Sequence, residues 1–410
     1  MKQIKKYIIP VLRWLLLGTA IGCIGGALGA AFHHVLGYVT ELRSDNNWLI
    51  YLLPVGGILS VGLYRILKLK DNHGTDEIIY DVANNKPVKP LIAPAIFTAT
   101  AITHLFGGSC GREGAALQIG GSVASACADI FHLKTQERTV LIRCGMSAVF
   151  AGLFGTPLTA AIFTAEVVSV GSIFSPTLLQ CYLSSYMASL VSAKLGVHAE
   201  TAAISTVQLG LDNFWKFGIV AVVIALVGIL LCRIFHFSEH LASKVIPNQW
   251  IRILTGAVVV IIGTALVGDQ RYNGAGMNMA LDAINGQADW YDFILKLIFT
   301  AITLAAGFKG GEIVPVFCIG ATCGCTLGTL LGADPGFCAA LGLIGLFCAV
   351  TKSPLASVVL SVEMFGGGNL HLFALVCVIC FVLSGKATLY TSQDHHYYKD
   401  YLSEVLKNRK

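Results

Sequence analysis

The chain has 410 residues, of which 55% are hydrophobic and 12% are charged, and its formal net charge is +5. A soluble domain carries roughly 25% charged residues, so this composition excludes a disordered chain and a water-exposed enzyme, because both need more surface charge. The low charged fraction and the high hydrophobic fraction predict an all-α integral membrane protein. The positive charges lie in short clusters between apolar runs and form no nucleic-acid patch.

The first element is a predicted helix whose N-terminus stays in the cytosol. Lys2, Lys5 and Lys6 precede an apolar run, a pattern that imitates a secretory signal peptide. The run continues past Ala30 without a polar cleavage region, so we expect a retained first helix.

Several later stretches contain no Asp, Glu, Lys or Arg and are long enough to cross, or nearly cross, a bilayer as helices. They are residues 145–165, 167–193, 313–333, 335–351 and 364–385. Glycine and proline interrupt them, as at Gly155 and Pro157. Such interruptions are typical of broken or re-entrant helices, which a membrane tolerates where the freed backbone is buried in protein or lines a polar cavity.

The chain contains an internal repeat. Ala101-Ile102-Thr103 recurs as Ala301-Ile302-Thr303, an offset of 200 residues (301 − 101 = 200). The same offset pairs Gly107 with Gly307, Gly111 with Gly311 and Gly120 with Gly320. We predict two membrane repeats, residues 1–210 and 211–392, followed by a short cytosolic tail at 393–410 and no further soluble domain.

The loops around the repeated segment differ in charge between the two halves. Those of the first half contain Lys86, Lys89, Lys134, Arg138 and Arg143, whereas residues 282–292 contain only acidic charges. By the positive-inside rule, corresponding loops then lie on opposite faces of the membrane. This predicts inverted-topology repeats, which place a transport site at their interface near the midplane.

A glycine-rich turn, GGSCGREG at residues 107–114, opens the apolar segment that follows it. Its backbone N–H groups and the positive end of the helix dipole together form an anion site. Arg112 and Glu113 are costly at membrane depth unless they are paired or face water. We interpret Glu113 as a titratable carboxylate at the anion position, and the alternative is an ion pair between Arg112 and Glu113 at a helix end.

A matching turn, GGEIVP, lies in the second half at residues 310–315. Two such turns in inverted halves bring two helix N-termini toward one point, where a dehydrated anion is favoured. Glu312 is a second candidate carboxylate for gating or proton transfer. Its alternative role is to cap the helix by accepting backbone N–H bonds.

Two further glutamates repeat with the halves. Thr156-Pro157-Leu158 is echoed by Ser353-Pro354-Leu355, and Glu166 and Glu363 follow these segments at the same spacing. We expect them to have paired structural roles at helix ends. The histidines in apolar runs, which are His33, His34 and His104, are interpreted as packing residues.

The motifs GREGAALQIGG, GGEIVP and Lys386-Ala387-Thr388-Leu389-Tyr390 resemble the CLC family of chloride channels and anion/proton exchangers. The segment HGTDEI, which begins at His73, looks like the first filter motif of that family. The resemblance covers nearly the whole membrane portion, with the motifs in the same order. It implies a CLC-type fold of many tilted and re-entrant helices, and a homodimer with one pathway in each subunit.

The resemblance also implies roles for individual residues. Glu113 matches the external gating glutamate, which occupies anion sites and shuttles protons. Tyr390 matches the central tyrosine whose hydroxyl faces the anion, and Thr75 falls at the inner gate, where chloride-selective members have serine. The residues expected to offer backbone N–H groups to the anion are Arg112, Gly114, Glu312 and Ile313.

The sequence departs from the chloride/proton exchangers in ways that bear on the transported ion. Val167 stands where those exchangers carry an internal glutamate, and Ala115 replaces the proline that follows GREG in chloride-type members. The turn that contains Glu312 is similar to the fluoride-exporting CLC-F branch. We therefore predict a fluoride/proton antiporter with Glu113 as its gating and proton-carrying residue; the alternative is a chloride channel or chloride/proton exchanger of the same fold.

Two other classes are weighed and not favoured. A membrane enzyme would use Glu113 and Glu312 as an acid/base pair, but the chain has no nucleophile motif, metal cluster or nucleotide loop. An organic-anion transporter would need basic ligands, and apart from Arg112 and Lys309 basic side chains are scarce near the motifs. We predict no enzymatic activity, no cofactor and no metal site, the last because the tail pair His395 and His396 lacks a nearby cysteine.

The predicted partners are fluoride, or chloride in the alternative, together with protons, the lipid bilayer and a second copy of the chain. No nucleic acid is expected. The predicted location is the cell membrane, crossed several times, with both termini in the cytosol.

Overall fold

The computed structural model describes residues 2–70, 72–170, 177–207, 210 and 213–393. Within these residues the chain forms sixteen α-helices and no strand, which confirms the prediction of an all-α protein. Short 3-10 turns precede the second and the last of these helices. The predicted tail, with His395 and His396, lies outside the described residues except for Gln393.

The helices fall into two sets of eight. The first set is α1 (Lys2–Asp45), α2 (Leu53–Ile66), α3 (Thr75–Ala83), α4 (Ile92–Leu105), α5 (Glu113–Ile130), α6 (Thr135–Phe154), α7 (Pro157–Val168) and α8 (Thr177–Lys194). The second set is α9 (Phe214–Val245), α10 (Gln249–Val267), α11 (Met277–Ile284), α12 (Asp292–Ala306), α13 (Ile313–Leu331), α14 (Pro335–Thr351), α15 (Pro354–Phe365) and α16 (Leu370–Leu383). Long and short helices follow the same order in both, since α3 and α11 are the shortest members, with 9 and 8 residues.

The helix lengths combine full membrane crossings with shorter segments. Five helical segments are long and apolar enough to cross a bilayer: Val11–Asp45, Asn47–Ile66, Phe214–Val245, Gln249–Val267 and Ile313–Leu331. Several shorter apolar helices, including α4, α7 and α15, accompany them. A multi-pass membrane protein with half-length helices follows from this pattern.

The broken helices predicted from glycine and proline are present. Helix α6 is followed by its C-cap residue Gly155, which adopts the left-handed conformation with φ 69°, and α7 begins at Pro157. In the second half α14 is followed by its C-cap residue Lys352, also left-handed with φ 57°, and α15 begins at Pro354. Proline at the first helical position lacks only an N–H that would have no partner within the helix.

Closely packed glycines hold α5 against α6 and α13 against α14. A Cβ on Gly120 would overlap the backbone of Gly145, and a Cβ on Gly320 would overlap the backbone of Gly342. Small residues at such crossings let two helix backbones approach within van der Waals contact. The helices that begin at the two glycine-rich turns are therefore fixed at the same relative position in both halves.

Glu166 and Glu363 link the two halves through helices α7 and α15. The carboxylate of Glu166 accepts two N–H bonds from the first turn of α15, at 3.2 and 2.8 Å. That of Glu363 accepts two from the first turn of α7, at 3.0 and 2.9 Å. Each short helix thus caps the other, and the predicted paired roles at helix ends are confirmed.

Candidate functional site

The two glycine-rich turns meet at Gly111 and Gly311. Their backbones exchange two hydrogen bonds, from the N–H of Gly111 to the carbonyl of Gly311 at 2.5 Å and in reverse at 2.7 Å. A Cβ on Gly311 would lie 2.8 Å from the backbone nitrogens of Glu113 and Gly114, so glycine is required for this approach. Helices α5 and α13 consequently begin side by side, with their N-termini converging.

The carboxylate of Glu113 occupies the point of convergence. Its Oε2 accepts the backbone N–H of Arg112 at 3.0 Å and that of Val314 at 3.2 Å, so it bonds the first turns of both helices. Its Oε1 is buried and has no hydrogen-bond partner. A carboxylate at this point is an anion stabilised by two helix N-termini.

Arg112 does not form the ion pair with Glu113 that was the alternative interpretation. Its guanidinium pairs instead with the carboxylate of Glu200 and lies over the ring of Phe154, 4.8 Å from the centroid. Only the backbone N–H of Arg112 contacts Glu113. The carboxylate of Glu113 is therefore held by backbone N–H groups, while the guanidinium of Arg112 acts on it only through space.

Glu312 lies at the N-cap position of α13 and is half-buried. Its side chain makes no capping hydrogen bond, so the alternative interpretation as a helix cap is wrong. The nearby carboxylates of Asp76 and Glu239 act on it electrostatically. The carboxyl of Glu312 is therefore not bonded to the first turn of the helix that it precedes.

The two remaining predicted site residues, Tyr390 and Thr75, each carry a hydroxyl group. The hydroxyl of Tyr390 is buried without a hydrogen-bond partner. Thr75 is the first residue of α3, and a Cβ on Gly114 would lie 2.5 Å from the hydroxyl oxygen of Thr75. The side-chain amide of Gln118 lies 3.5 Å from that hydroxyl. The hydroxyl of Thr75 therefore lies beside the start of α5, and the phenol of Tyr390 is within electrostatic range of Glu113 and Glu312.

Asp76 attaches the segment that follows Tyr390 to the start of α3. Its Oδ2 accepts a hydrogen bond from the hydroxyl of Thr391 at 3.0 Å, and its Oδ1 accepts the N–H of Ser392 at 3.2 Å. The sequence analysis missed this contact. The sequence signal was an acidic residue, Asp76, within the filter-like segment HGTDEI.

A cavity of about 930 Å³ leads to Arg112 from one face of the protein. Its acidic lining residues are Glu41, Glu200, Asp269, Asp282, Asp289 and Asp292, and its basic ones are Arg43, Arg112 and Arg271. We call it the acidic vestibule. Arg271 pairs with Asp269, Asp289 and Asp292, and its hydrogen bond holds the pKa of Asp289 below the usual value.

A fully buried lysine contacts the first glycine-rich turn, residues 107–114. Lys296 of α12 donates three hydrogen bonds, to the hydroxyl of Ser109 at 3.0 Å and to the carbonyls of Tyr272 and Gly274 at 3.0 and 2.7 Å. Three acceptors satisfy the three protons of an ammonium group. Lys296 therefore holds the glycine-rich turn against the loop between α10 and α11. The sequence signal was a single lysine within an apolar helix.

Among the predicted donors, only the N–H of Arg112 contacts the carboxylate. The second helix contributes the N–H of Val314, one residue beyond the predicted Ile313. Of the predicted packing histidines, His34 lies 2.8 Å from the carbonyl of Leu195 and His104 lies 3.0 Å from that of Thr100. In the part of the chain that the structure describes, no three His, Cys, Asp or Glu side chains are grouped to hold a metal ion.

A model of the family described as voltage gated chloride channel matches residues 56–385. The chain belongs to the CLC family. Its members are channels and transporters, and the sixteen helices of this chain have the CLC fold.

The matches to two curated relatives cover nearly the whole of this chain. It is 31% identical over 392 residues to a chloride/fluoride channel protein of Pseudomonas syringae pv. tomato, a match that covers 93% of this chain and 86% of the relative. It is 24% identical to an H(+)/Cl(-) exchange transporter of Vibrio vulnificus, covering 94% of this chain and 90% of the relative.

Two solved structures are similar to this chain over nearly its whole length. A CLC-type fluoride/proton antiporter superposes with a TM-score of 0.89 at 30% identity, covering 94% of this chain and 98% of the other. A cyanobacterial Cl-/H+ antiporter superposes with a TM-score of 0.77 at 21% identity, covering 96% and 98%, and shows the shared fold.

Proposed function

We propose that the chain is a fluoride/proton antiporter that exports fluoride from the cell in exchange for protons. The carrying observation is the position of the Glu113 carboxylate, which accepts N–H bonds from the first turns of both α5 and α13. A carboxylate and a fluoride ion are both anions that accept hydrogen bonds, so they compete for the same donors.

The competition supplies a coupling mechanism. When Glu113 is ionised it holds the site itself. A proton on Glu113 neutralises the carboxylate and weakens its bonds to the two helix N-termini, so the donors become available to fluoride. When the proton leaves, the carboxylate displaces the anion. Alternation between the two states exchanges one ion for the other.

The remaining donors suit a small, strongly hydrated anion. Fluoride gives up its water only where several donors replace it. The hydroxyl of Tyr390 has no partner within the protein, and the hydroxyl of Thr75 lies beside the same helix turn. We assign these two hydroxyl groups, with the backbone donors, to fluoride. Glu312 is the second candidate for proton transfer, since its carboxyl makes no capping bond.

The choice of fluoride over chloride rests on this geometry together with similarity. The relative at 31% identity is named as a chloride/fluoride channel protein, and the structure at 30% identity is titled as a fluoride/proton antiporter. Val167, at the position of the internal glutamate of chloride/proton exchangers, is fully buried and cannot carry a proton. Chloride transport remains the second candidate, because exchange transporters for chloride are relatives at 24% identity.

We place the acidic vestibule outside the cell. Arg13, near the start of α1, pairs with Glu137 at the start of α6 at 2.9 Å, so the beginning of the chain shares a face with the basic loop that contains Lys134. By the positive-inside rule this face is cytosolic. We further propose that both termini are in the cytosol, and that the protein lies in the plasma membrane as a homodimer with one pathway in each subunit.

Flux from liposomes tests the proposal. The purified protein is reconstituted into vesicles loaded with fluoride or chloride, and anion efflux and external pH are recorded after the membrane potential is released. We expect fast fluoride efflux, much slower chloride efflux, and alkalinisation of the medium as protons enter. Protein-free vesicles measure the leak of hydrogen fluoride. Equal rates for the two halides contradict the selectivity, and anion efflux without proton movement indicates a channel.

A further inference from the structure

Arg112 lines the acidic vestibule and precedes Glu113, the residue at the anion position. Its side chain is 13% exposed, and that of its partner Glu200 is 23% exposed. The face of the guanidinium is covered by the ring of Phe154. The cation next to Glu113 in this vestibule is therefore already paired with a carboxylate.

Glu200 comes from the connection between the two helix sets, which is fixed at several points. The N–H of Ala202 donates to the carbonyl of Met364 at 3.0 Å, and the hydroxyl of Ser205 donates to Asp334 at 2.6 Å. Ala199 packs against Gly155, where a Cβ would lie 2.9 Å from it. These contacts hold the backbone around Glu200 in place without help from Arg112.

The net charge of the Arg112–Glu200 pair affects how readily an exporter releases its anion into the vestibule. An unpaired arginine next to the site would attract anions from the vestibule and retain the exported one, because a partly desolvated charge acts over several ångströms. The other acidic lining residues are not paired with Arg112. Asp269, Asp289 and Asp292 are paired with Arg271, while Glu41 and Asp282 are exposed and have no ion pair among the described residues.

We propose that Glu200 is a positioning residue of the export pathway: it holds the guanidinium of Arg112 to the side and neutralises it, so that the outer mouth binds external anions weakly and releases fluoride. This inference deepens the proposed function and rests on it. Glu200 acts through Arg112 and does not itself contact the transported ion.

The test is fluoride efflux from liposomes against increasing external fluoride or chloride, for the wild type and Glu200→Gln. We expect the external concentration that halves the efflux to fall by about two- to fivefold in Glu200→Gln, the range for loss of one partly screened charge. Glu200→Asp, which keeps the charge on a shorter side chain, should shift in the same direction by less. Asp282→Asn removes a charge from the same vestibule away from Arg112 and should leave the value unchanged.

A double-variant comparison separates this role from a structural one. In an Arg112→Gln background, the further change Glu200→Gln should not alter the half-inhibiting concentration. Thermal unfolding in detergent identifies variants that fail to fold. If Glu200→Gln does not fold, the inhibition measured for Glu200→Asp decides the test. The inference is overturned if neither Glu200 variant shifts inhibition in a wild type that exports fluoride, or if Asp282→Asn shifts it equally. A wild type that moves no fluoride overturns the proposed function and this inference together.

Discussion

Several polar atoms around the site are buried without a partner, among them Oε1 of Glu113, the hydroxyl of Tyr390, Oε1 of Gln118 and Nε of Arg112. A buried polar group without a hydrogen bond costs about 1–3 kcal/mol. Such a cost is tolerated where a transported ion or proton satisfies the group for part of the cycle. The roles proposed for Glu113 and Tyr390 account for two of these unpaired atoms.

Replacing Tyr390 by phenylalanine tests whether its hydroxyl binds the anion. The hydroxyl has no partner within the protein, so the melting temperature should stay the same or rise slightly. Fluoride affinity should fall by about tenfold or more, because a hydrogen bond to a charged group contributes about 1.5–3 kcal/mol. Isothermal titration with fluoride and thermal unfolding measure the two effects.

Tyr272→Phe is the matched control. The hydroxyl of Tyr272 donates to Asp292 at 2.6 Å, in the acidic vestibule and away from Glu113. Its loss should lower the melting temperature and leave fluoride affinity unchanged. If Tyr390→Phe binds fluoride like the wild type, the hydroxyl is not an anion ligand.

At the scale of helices, the exchange of caps between α7 and α15 explains how two short helices are stable inside a membrane. Each has 12 residues and begins with proline, so neither can cross a bilayer alone. With no water to satisfy the exposed N–H groups, a carboxylate from the partner helix must do so. Glu166 and Glu363 are these carboxylates.

The variant Glu166→Gln should destabilise the protein without changing coupling. A neutral amide retains the shape but loses the charge at the N-terminus of α15, at a cost of about 1–2 kcal/mol. We expect a lower melting temperature and the wild-type ratio of protons to fluoride. The exposed residue Glu41, changed to Gln, is the control and should alter neither. Lost proton uptake at an unchanged melting temperature would make Glu166 a proton relay.

At the scale of the whole molecule, the two helix sets meet where their glycine-rich turns pair. Helices α5 and α13 start from one point, because Gly111 and Gly311 allow their backbones to bond directly. The vestibule that leads to this point is acidic, which favours the arrival of protons and the departure of anions.

The sequence predicted the features that depend on local patterns. Apolar stretches, glycine and proline interruptions and the repeated turns are each contained within short segments, so the helical fold and the position of Glu113 at a helix start were predictable. The resemblance to a known family added Tyr390 and Thr75, whose positions no local pattern indicates.

Contacts between distant segments were not predictable in the same way. Arg112 and Glu200 are 88 positions apart, and Asp76 and Ser392 are 316 apart. Only the packing of the two helix sets brings them together. The capping alternative for Glu312 was wrong because a local N-cap pattern does not specify where the side chain points.

The most direct test of the central claim is the number of protons taken up per fluoride released by the wild type and by Glu113→Gln in the same liposome assay. Glutamine keeps the shape of the side chain but cannot ionise, so it neither competes with fluoride as an anion nor carries a proton. The account predicts coupled proton uptake in the wild type and none in the variant. Proton uptake that persists at the wild-type ratio in Glu113→Gln would contradict it, because the coupling carboxyl would then be another group.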